Sequence, residues 1–344
     1  MFLTFILYLL TFNPLSLSAN TDSMAIEIRH NSLMRLVFGS MLFIVLPGLL
    51  FLVLWPVLGW KMALAVPSLV WVVVLYGFFF GWRHIVVRSA SCESPLLPRS
   101  FDGYRVLQLS DIHIGTFLRN RKFVDKLVRI VNAQEPDLVV FTGDLVNVSA
   151  EEIIPFQHVL KQISARDGVY SVMGNHDYCE YGHDKSGENV TRNQNVLKYI
   201  EERIGWQLLM NEHVRISNEH GDEIAVIGVE NISRPPFPDY GDLEKAIAGL
   251  PDGMFKILLS HDPSHWRRGV LHKTDIALTL SGHTHAGQVR IGRFSPVKWA
   301  YNEWGGKYVE GGSMLHVSMG VGGTVPFRLG AWPEVNVITL RRKE

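Results

Sequence analysis

Cysteine is scarce in this chain, and neither sign of charge is in excess. Cys92 and Cys179 are the two cysteines; they match no metal-binding or redox spacing, which disfavours a cysteine-ligated zinc site. A structural disulfide is not expected from such usage. The 33 basic and 33 acidic residues balance to zero net charge, so no nucleic-acid partner is expected.

Several organisational signals are also missing. No internal repeat or low-complexity tract occurs, and no His-Glu-x-x-His sequence is present, which counts against a metalloprotease. A length of 344 residues fits about two domains as a first expectation.

Charge is nearly absent from residues 36–82, where Lys61 is the one exception. Residues 36–55 and 62–82 each have the length of about 20 apolar residues that crosses a bilayer as a helix. Residues 56–61 form a turn between them, with tryptophans near the ends as in an aromatic belt. We predict a transmembrane helical hairpin; the alternative is a buried hairpin of a soluble core.

The flanking charges predict the orientation of this hairpin. Arg29 and Arg35 precede it and Arg83 and Arg88 follow it, so the positive-inside rule places both ends in the cytoplasm. We therefore expect a protein of the cell inner membrane, with the membrane lipid bilayer as a partner and the catalytic domain on the cytoplasmic side.

The chain divides into four predicted parts. They are an N-terminal segment (1–35), the hairpin (36–82), a linker (83–100) and a catalytic domain (101–344). The first apolar stretch, residues 1–19, lacks the basic start of a signal peptide. A signal, a third span and a start-site artefact, with Met24 as the true start, all remain open.

After residue 101, short apolar strands alternate with amphipathic helices. The predicted strands are 104–109, 137–141 and 169–173, and the predicted helices are 123–131, 153–163 and 196–204. The remainder is richer in strands, at 223–229, 255–259, 276–280, 314–318 and 335–340. This order predicts an α/β fold with a parallel or mixed sheet.

Polar residues of the kinds that bind metals follow five of these strands. They are Asp111 and His113; Asp144; Asn175, His176 and Asp177; His261; and His283 and His285. In α/β sheets, ligands bind at the carboxyl ends of strands. Each short motif alone is weak, since capping, turns and structural histidines explain such residues elsewhere. The ordered set has more donors than one tetrahedral ion needs, and two ions that share Asp144 would use them all.

This series resembles the calcineurin-like metallophosphoesterase family, and its membrane-anchored bacterial branch in particular. The resemblance covers roughly residues 104–340 and rests on Asp-x-His, Gly-Asp, Gly-Asn-His-Asp, a lone histidine and Gly-His-Thr-His, in that order. It implies a four-layer α/β/β/α sandwich of two mixed sheets. It also implies that the first ion is held by Asp111, His113 and His285, the second by Asn175, His261 and His283, and that Asp144 bridges them.

The resemblance further implies a phosphoric ester hydrolase with two divalent metal ions: Mn, Fe, Zn or Mg, with Mn favoured. A hydroxide shared by the two cations would attack phosphorus. His176 matches the family's catalytic histidine that is not a ligand, and Asp177 is expected to orient it. His176 would donate to the leaving oxygen or stabilise its charge.

The substrate is less constrained than the chemistry. The hairpin favours a phosphodiester or pyrophosphate of a lipid-linked molecule, and the resembled branch includes enzymes acting on UDP-2,3-diacylglucosamine. Gly-Asp-Leu-Val-Asn lacks the Asp-Arg-Gly continuation of the family's protein phosphatases. The alternative class is a non-catalytic metal-binding membrane scaffold or sensor, which predicts a missing ligand or a missing His176. Candidate substrate contacts, also open to a surface or packing role, are Arg234, Arg267, Arg268, Arg290, Arg293, Trp299, Tyr301 and Trp304.

Overall fold

A computed structural model describes residues 37–118, 120–181 and 186–344, so the predictions for residues 1–35 lie outside the described residues. A π-helical turn, Met41–Val45, leads into helix α1, Leu46–Phe79. Among the described residues, the run Val37–Arg83 is the one helix long and apolar enough to cross a membrane.

This apolar helix is interrupted at Gly59, where φ is 72° and ψ is 160°. Trp71 Nε1 donates to the carbonyl of Phe43 at 2.8 Å across 28 residues, and the Phe43 and Phe78 rings stack at 5.4 Å. In a straight helix, positions so far apart in sequence would lie about 40 Å from each other. The two halves therefore lie side by side, and their passage through a bilayer stays a prediction.

Two mixed six-stranded sheets form the centre of the rest of the described chain. The strands of the first sheet are β1 (Val86–Ser94), β2 (Arg105–Leu109), β3 (Leu138–Phe141), β4 (Val169–Ser171), β5 (Trp206–Leu208) and β12 (Glu334–Arg342). Their order is β1-β12-β2-β3-β4-β5, and β2 to β5 run parallel. The strands of the second sheet are β6 (Glu212–Ser217), β7 (Glu223–Gly228), β8 (Lys256–Leu259), β9 (Leu278–Ser281), β10 (Gly306–Glu310) and β11 (Ser313–Val317). Their order is β10-β11-β9-β8-β7-β6, with β7, β8, β9 and β11 parallel.

The sheets pack face to face, and helices cover their outer faces. Val140 of β3 and Leu280 of β9 lie in one apolar core between the sheets. Helices α2 (Arg121–Asn132) and α4 (Gly187–Ile204) cover the first sheet, with the short α3 (Gln157–Leu160), and α5 (Leu243–Ile247) covers the second. The predicted four-layer sandwich of two mixed sheets is confirmed.

The structure adds one strand to the local predictions and changes one helix. The segment predicted as a linker, 83–100, includes β1, which pairs in parallel with β12. Its partner lies far along the chain and its middle is polar and exposed, so no local apolar pattern marks it. The helix expected at 153–163 is instead a 3₁₀ segment, Ala150–Phe156, followed by α3. Pro155 lies inside this segment and has no backbone N–H for an α-helical hydrogen bond.

Candidate metal centre

The seven predicted ligands converge from both sheets. Asp111 and His113 follow β2, Asp144 follows β3 and Asn175 follows β4, whereas His261 follows β8 and the remaining pair, His283 and His285, follows β9. Because these strands are parallel within each sheet, their carboxyl ends meet at one edge of the sandwich.

The first group of donors consists of the three ligands predicted for the first ion and the carboxylate predicted to bridge the two ions. His285 Nε2 lies 3.4 Å from Asp111 Oδ1, and His113 Nε2 lies 3.6 Å from Asp144 Oδ2. The two imidazole Nε2 atoms are 3.3 Å apart. The donor atoms of these four residues all lie within 4.8 Å of one another.

The second group shares Asp144 with the first. His261 Nε2 lies 3.2 Å from Asp144 Oδ2, and His283 Nδ1 lies 2.8 Å from Asn175 Oδ1. The donor atoms of Asp144, His261 and His283 again lie within 4.8 Å of one another. The structure thus brings together both predicted ligand sets around one common carboxylate.

The hydrogen bonds of His261 show that a cation fits between these donors. Its Nδ1 lies 2.7 Å from the carbonyl of Thr142, which can only accept, so Nδ1 carries the hydrogen. The buried Nε2 has no hydrogen-bond partner and faces the Asp144 carboxylate. A ring nitrogen and a carboxylate oxygen that face each other are stabilised by a positive charge between them, and nitrogen and oxygen donors without thiolate suit Mn, Fe, Zn or Mg.

The pKa shifts of the residues in this site agree with that interpretation. Burial opposes ionisation of Asp144, but His261 and His176 hold its pKa well below its usual range. Burial likewise opposes protonation of His261, yet Asp144 raises the pKa of that imidazole to about 10. Burial raises the pKa of Asp111 to about 7 and lowers that of His113 to about 3. The Asp144 carboxylate thus favours a positive charge at this point of the site, which a bound cation would supply.

Backbone strain is concentrated at this site. Five of the seven predicted ligands have positive φ, between 48° and 71°: Asp111, His113, Asp144, His283 and His285. Non-glycine residues adopt this region rarely and often at functional sites.

The glycines beside the ligands are needed for close packing. A Cβ on Gly174 would lie 2.3 Å from Asp144 Oδ1, and one on Gly282 would lie 2.2 Å from Asp111 Oδ2. Gly174 and Gly282 each stand beside a predicted ligand because a larger residue would leave no room for the neighbouring carboxylate.

His176 and Asp177 have different surroundings. His176 Nδ1 lies 2.6 Å from the carbonyl of Asn147, which fixes the ring and leaves Nε2 for the cleft. Asp177 instead accepts four backbone N–H groups at 2.7–3.1 Å, from Asp144, Leu145, Val146 and Gly174. The expectation that Asp177 orients His176 is corrected: Asn147 does so, and Asp177 ties together the two loops that present ligands.

A cleft of about 290 Å³ opens over the donors, and Phe237 and Tyr301 line it. The Tyr301 hydroxyl lies 2.7 Å from His283 Nε2 and so fixes that ring. Sequence reasoning left Tyr301 open and missed Asn147, because both act through contacts between distant segments. The five candidate arginines are not among the residues that line this cleft.

Another buried residue that sequence reasoning missed is Arg328. Its Nη1 donates to the carbonyls of Met319 at 2.6 Å and His285 at 3.3 Å. Arg328 thus holds the backbone carbonyl of one predicted ligand, His285, by a hydrogen bond. A lone arginine late in the chain gives no sequence signal for this role.

Comparison with known proteins agrees with the geometry. The family model described as calcineurin-like phosphoesterase matches residues 104–287. The uncharacterized metallophosphoesterase YkuE of Bacillus subtilis is 30% identical, with 77% of this chain and 89% of YkuE covered. A Bos taurus protein named transmembrane protein with metallophosphoesterase domain is 35% identical over 71% of this chain, which spans 54% of that relative.

Among solved structures, the protein TT1561 of Thermus thermophilus is similar at 14% identity and a TM-score of 0.40. The match covers 64% of this chain and 90% of that one. The sequence matches are decisive, since the family model spans more than half of the chain and YkuE is matched along most of its length. This chain belongs to the calcineurin-like phosphoesterase family, and it is a metal-dependent phosphoester hydrolase.

Proposed function

We propose that this chain is a membrane-anchored hydrolase that cleaves a phosphodiester or pyrophosphate bond in a lipid-linked substrate at a dinuclear metal site. The observation that carries the proposal is the pair of donor groups that share Asp144 at the floor of an open cleft. Asp111, His113 and His285 would hold one ion and Asn175, His261 and His283 the other.

The residues around the donors have separate tasks in this account. Two bound divalent ions would polarise a phosphoryl oxygen and lower the pKa of a nearby water. His176 would donate a proton from Nε2 to the leaving oxygen in its imidazolium form, with the ring held in place by the contact of Nδ1 with the Asn147 carbonyl. Tyr301 keeps His283 Nδ1 turned towards Asn175 through its hydroxyl contact with Nε2.

The predicted membrane attachment favours a lipid-linked substrate. Tethering an enzyme to a bilayer raises its encounter with lipid-borne molecules and does little for soluble ones. The apolar run Val37–Arg83 and the name of the bovine relative both support membrane attachment. The arginines on both sides of the hairpin favour a location in the inner membrane, with the catalytic domain on the cytoplasmic side.

The test uses the full chain in detergent with Mn²⁺. We expect hydrolysis of bis-p-nitrophenyl phosphate and of UDP-2,3-diacylglucosamine, reduced to background by Asp144→Asn and unchanged by Asp252→Asn, which alters an exposed carboxylate. Cleavage of the soluble diester alone would remove the lipid-linked part of the proposal. Metal uptake without hydrolysis of either compound would favour the scaffold or sensor instead.

A further inference from the structure

Large apolar side chains are exposed next to the metal cleft. Ile291 is 67% exposed, Phe294 is 37% exposed and Trp299 is 76% exposed. Val297 and Tyr301, from the same stretch of chain, line the cleft. A cluster of exposed apolar side chains on a folded domain marks a binding surface more often than scattered single residues do.

These exposed side chains belong to a loop that is held by several hydrogen bonds, here called the 291–299 loop. Ile291 and Phe294 exchange backbone hydrogen bonds at 2.9 and 3.0 Å. Ser295 Oγ donates to the carbonyl of Ala286 at 2.5 Å, one residue after the ligand His285. The Phe294 and Trp299 rings meet edge to face at 5.5 Å. The loop is therefore held to the metal centre with its aromatic residues turned outwards.

The charged residues along this stretch of chain have one sign. They are Arg290, Arg293 and Lys298, and residues 288–302 include no Asp or Glu. Lys298 Nζ lies 4.9 Å from the centre of the Phe294 ring. Aromatic and aliphatic side chains interspersed with cations are typical of surfaces that enter the headgroup region of an anionic bilayer.

A short chain of contacts joins the loop to the apolar hairpin. Backbone hydrogen bonds link Leu329 to Gln288 at 3.0 Å and Arg290 to Leu329 at 2.8 Å. Phe327, two residues earlier, packs against Phe78 of α1 at 4.8 Å between ring centres. The exposed loop is thus separated from the base of the predicted membrane anchor by a single packed segment.

We propose that the 291–299 loop is a second membrane contact, which inserts Ile291, Phe294 and Trp299 among anionic lipid headgroups and holds the cleft at the bilayer surface. A lipid-linked phosphate then reaches the metals past Val297 and Tyr301 with its acyl chains still in the membrane. The role in substrate delivery rests on the function proposed above, whereas the membrane contact itself does not.

Site-specific labelling tests the contact directly. The full chain with Trp299→Cys carries an environment-sensitive fluorophore in vesicles of phosphatidylglycerol and phosphatidylethanolamine that contain spin-labelled lipid. The native Cys92 and Cys179 are buried, so the new thiol is the accessible one among the described residues. We expect strong quenching at position 299. Emission as unquenched as in the matched control would overturn the proposal.

The control is Tyr199→Cys. Tyr199 is 57% exposed and lies on α4, which packs against β5 at the sheet edge opposite β1.

A second variant separates membrane contact from catalysis. Ile291→Asp removes an exposed apolar side chain and adds a negative charge, so we expect KM for vesicle-borne UDP-2,3-diacylglucosamine to rise about tenfold. Hydrolysis of bis-p-nitrophenyl phosphate should be unchanged, which also shows that the variant folds. Unchanged kinetics on vesicles would overturn the proposal. If the unmodified chain hydrolyses neither compound, that result would instead contradict the proposed function.

Discussion

At the scale of single residues, the ring of His176 is fixed by a backbone carbonyl rather than by a carboxylate, and we propose that it transfers a proton. With Nδ1–H held by Asn147 at 2.6 Å, one nitrogen remains for the leaving group. We expect His176→Ala to lower kcat by about 10²–10⁴ for diesters with alkyl leaving groups. The loss should be much smaller for p-nitrophenyl esters, whose leaving oxygen needs little protonation.

The readouts for this variant are the two kcat values and the metal content. His176 is not in either donor group, so both ions should remain bound. An equal loss of kcat for both leaving groups would contradict proton donation by this residue, even if activity falls.

Asp177 is expected to act on stability and metal retention instead. Its buried carboxylate accepts four backbone N–H groups, and Asp177→Asn would place an amide N–H₂ against some of them. The variant should be destabilised by about 2–4 kcal/mol, because buried hydrogen bonds to a charged group are lost. Thermal unfolding measures this, with Asp252→Asn as the exposed control. A melting temperature equal to that of the control would contradict the tying role.

Residue chemistry was predictable where the signal was local. The seven predicted ligands could be proposed from sequence because each follows a short apolar strand and several stand beside a glycine that leaves room for a carboxylate. Asn147, Tyr301 and Arg328 gave no such signal, because each acts by contacting a residue from another part of the chain.

At the scale of elements, buried strands were predictable and edge strands were not. Strand β3 was placed within one residue because all four of its side chains are buried. β1 and β10 lie at sheet edges and have mixed burial, so they resemble loops in sequence. Their places depend on pairing with β12 and β11, which a local pattern does not encode.

The junction between the apolar helix and the catalytic domain depends on close backbone contact. A Cβ on Gly81 would lie 1.9 Å from the carbonyl oxygen of Arg328, the residue that braces His285. We expect Gly81→Ala to destabilise the chain by about 1–3 kcal/mol, since the helix end and this loop must move apart. The melting temperature in detergent and kcat for bis-p-nitrophenyl phosphate should both fall.

The matched control is Gly48→Ala in the same apolar run, Val37–Arg83, where an added Cβ meets nothing within 4 Å. If both variants unfold at the same temperature, the junction does not have the role assigned to it.

At the scale of the whole molecule, the site exists only when the two sheets are packed together. Asp111, Asp144 and Asn175 come from one sheet, and His261 and His283 come from the other. Ligand geometry and the core between the sheets therefore depend on each other, and bound metal should stabilise the complete sandwich. Short motifs predicted which residues meet, whereas the hairpin contacts and the exposed loop beside the cleft required the assembled structure.

Anomalous diffraction at the manganese edge, from crystals of the full chain grown with Mn²⁺, tests the central claim most directly. We predict two peaks. One lies among Asp111, His113 and His285, and the other among Asn175, His261 and His283, with the Asp144 carboxylate bound to both. A single peak, or two ions that do not share Asp144, would contradict the account.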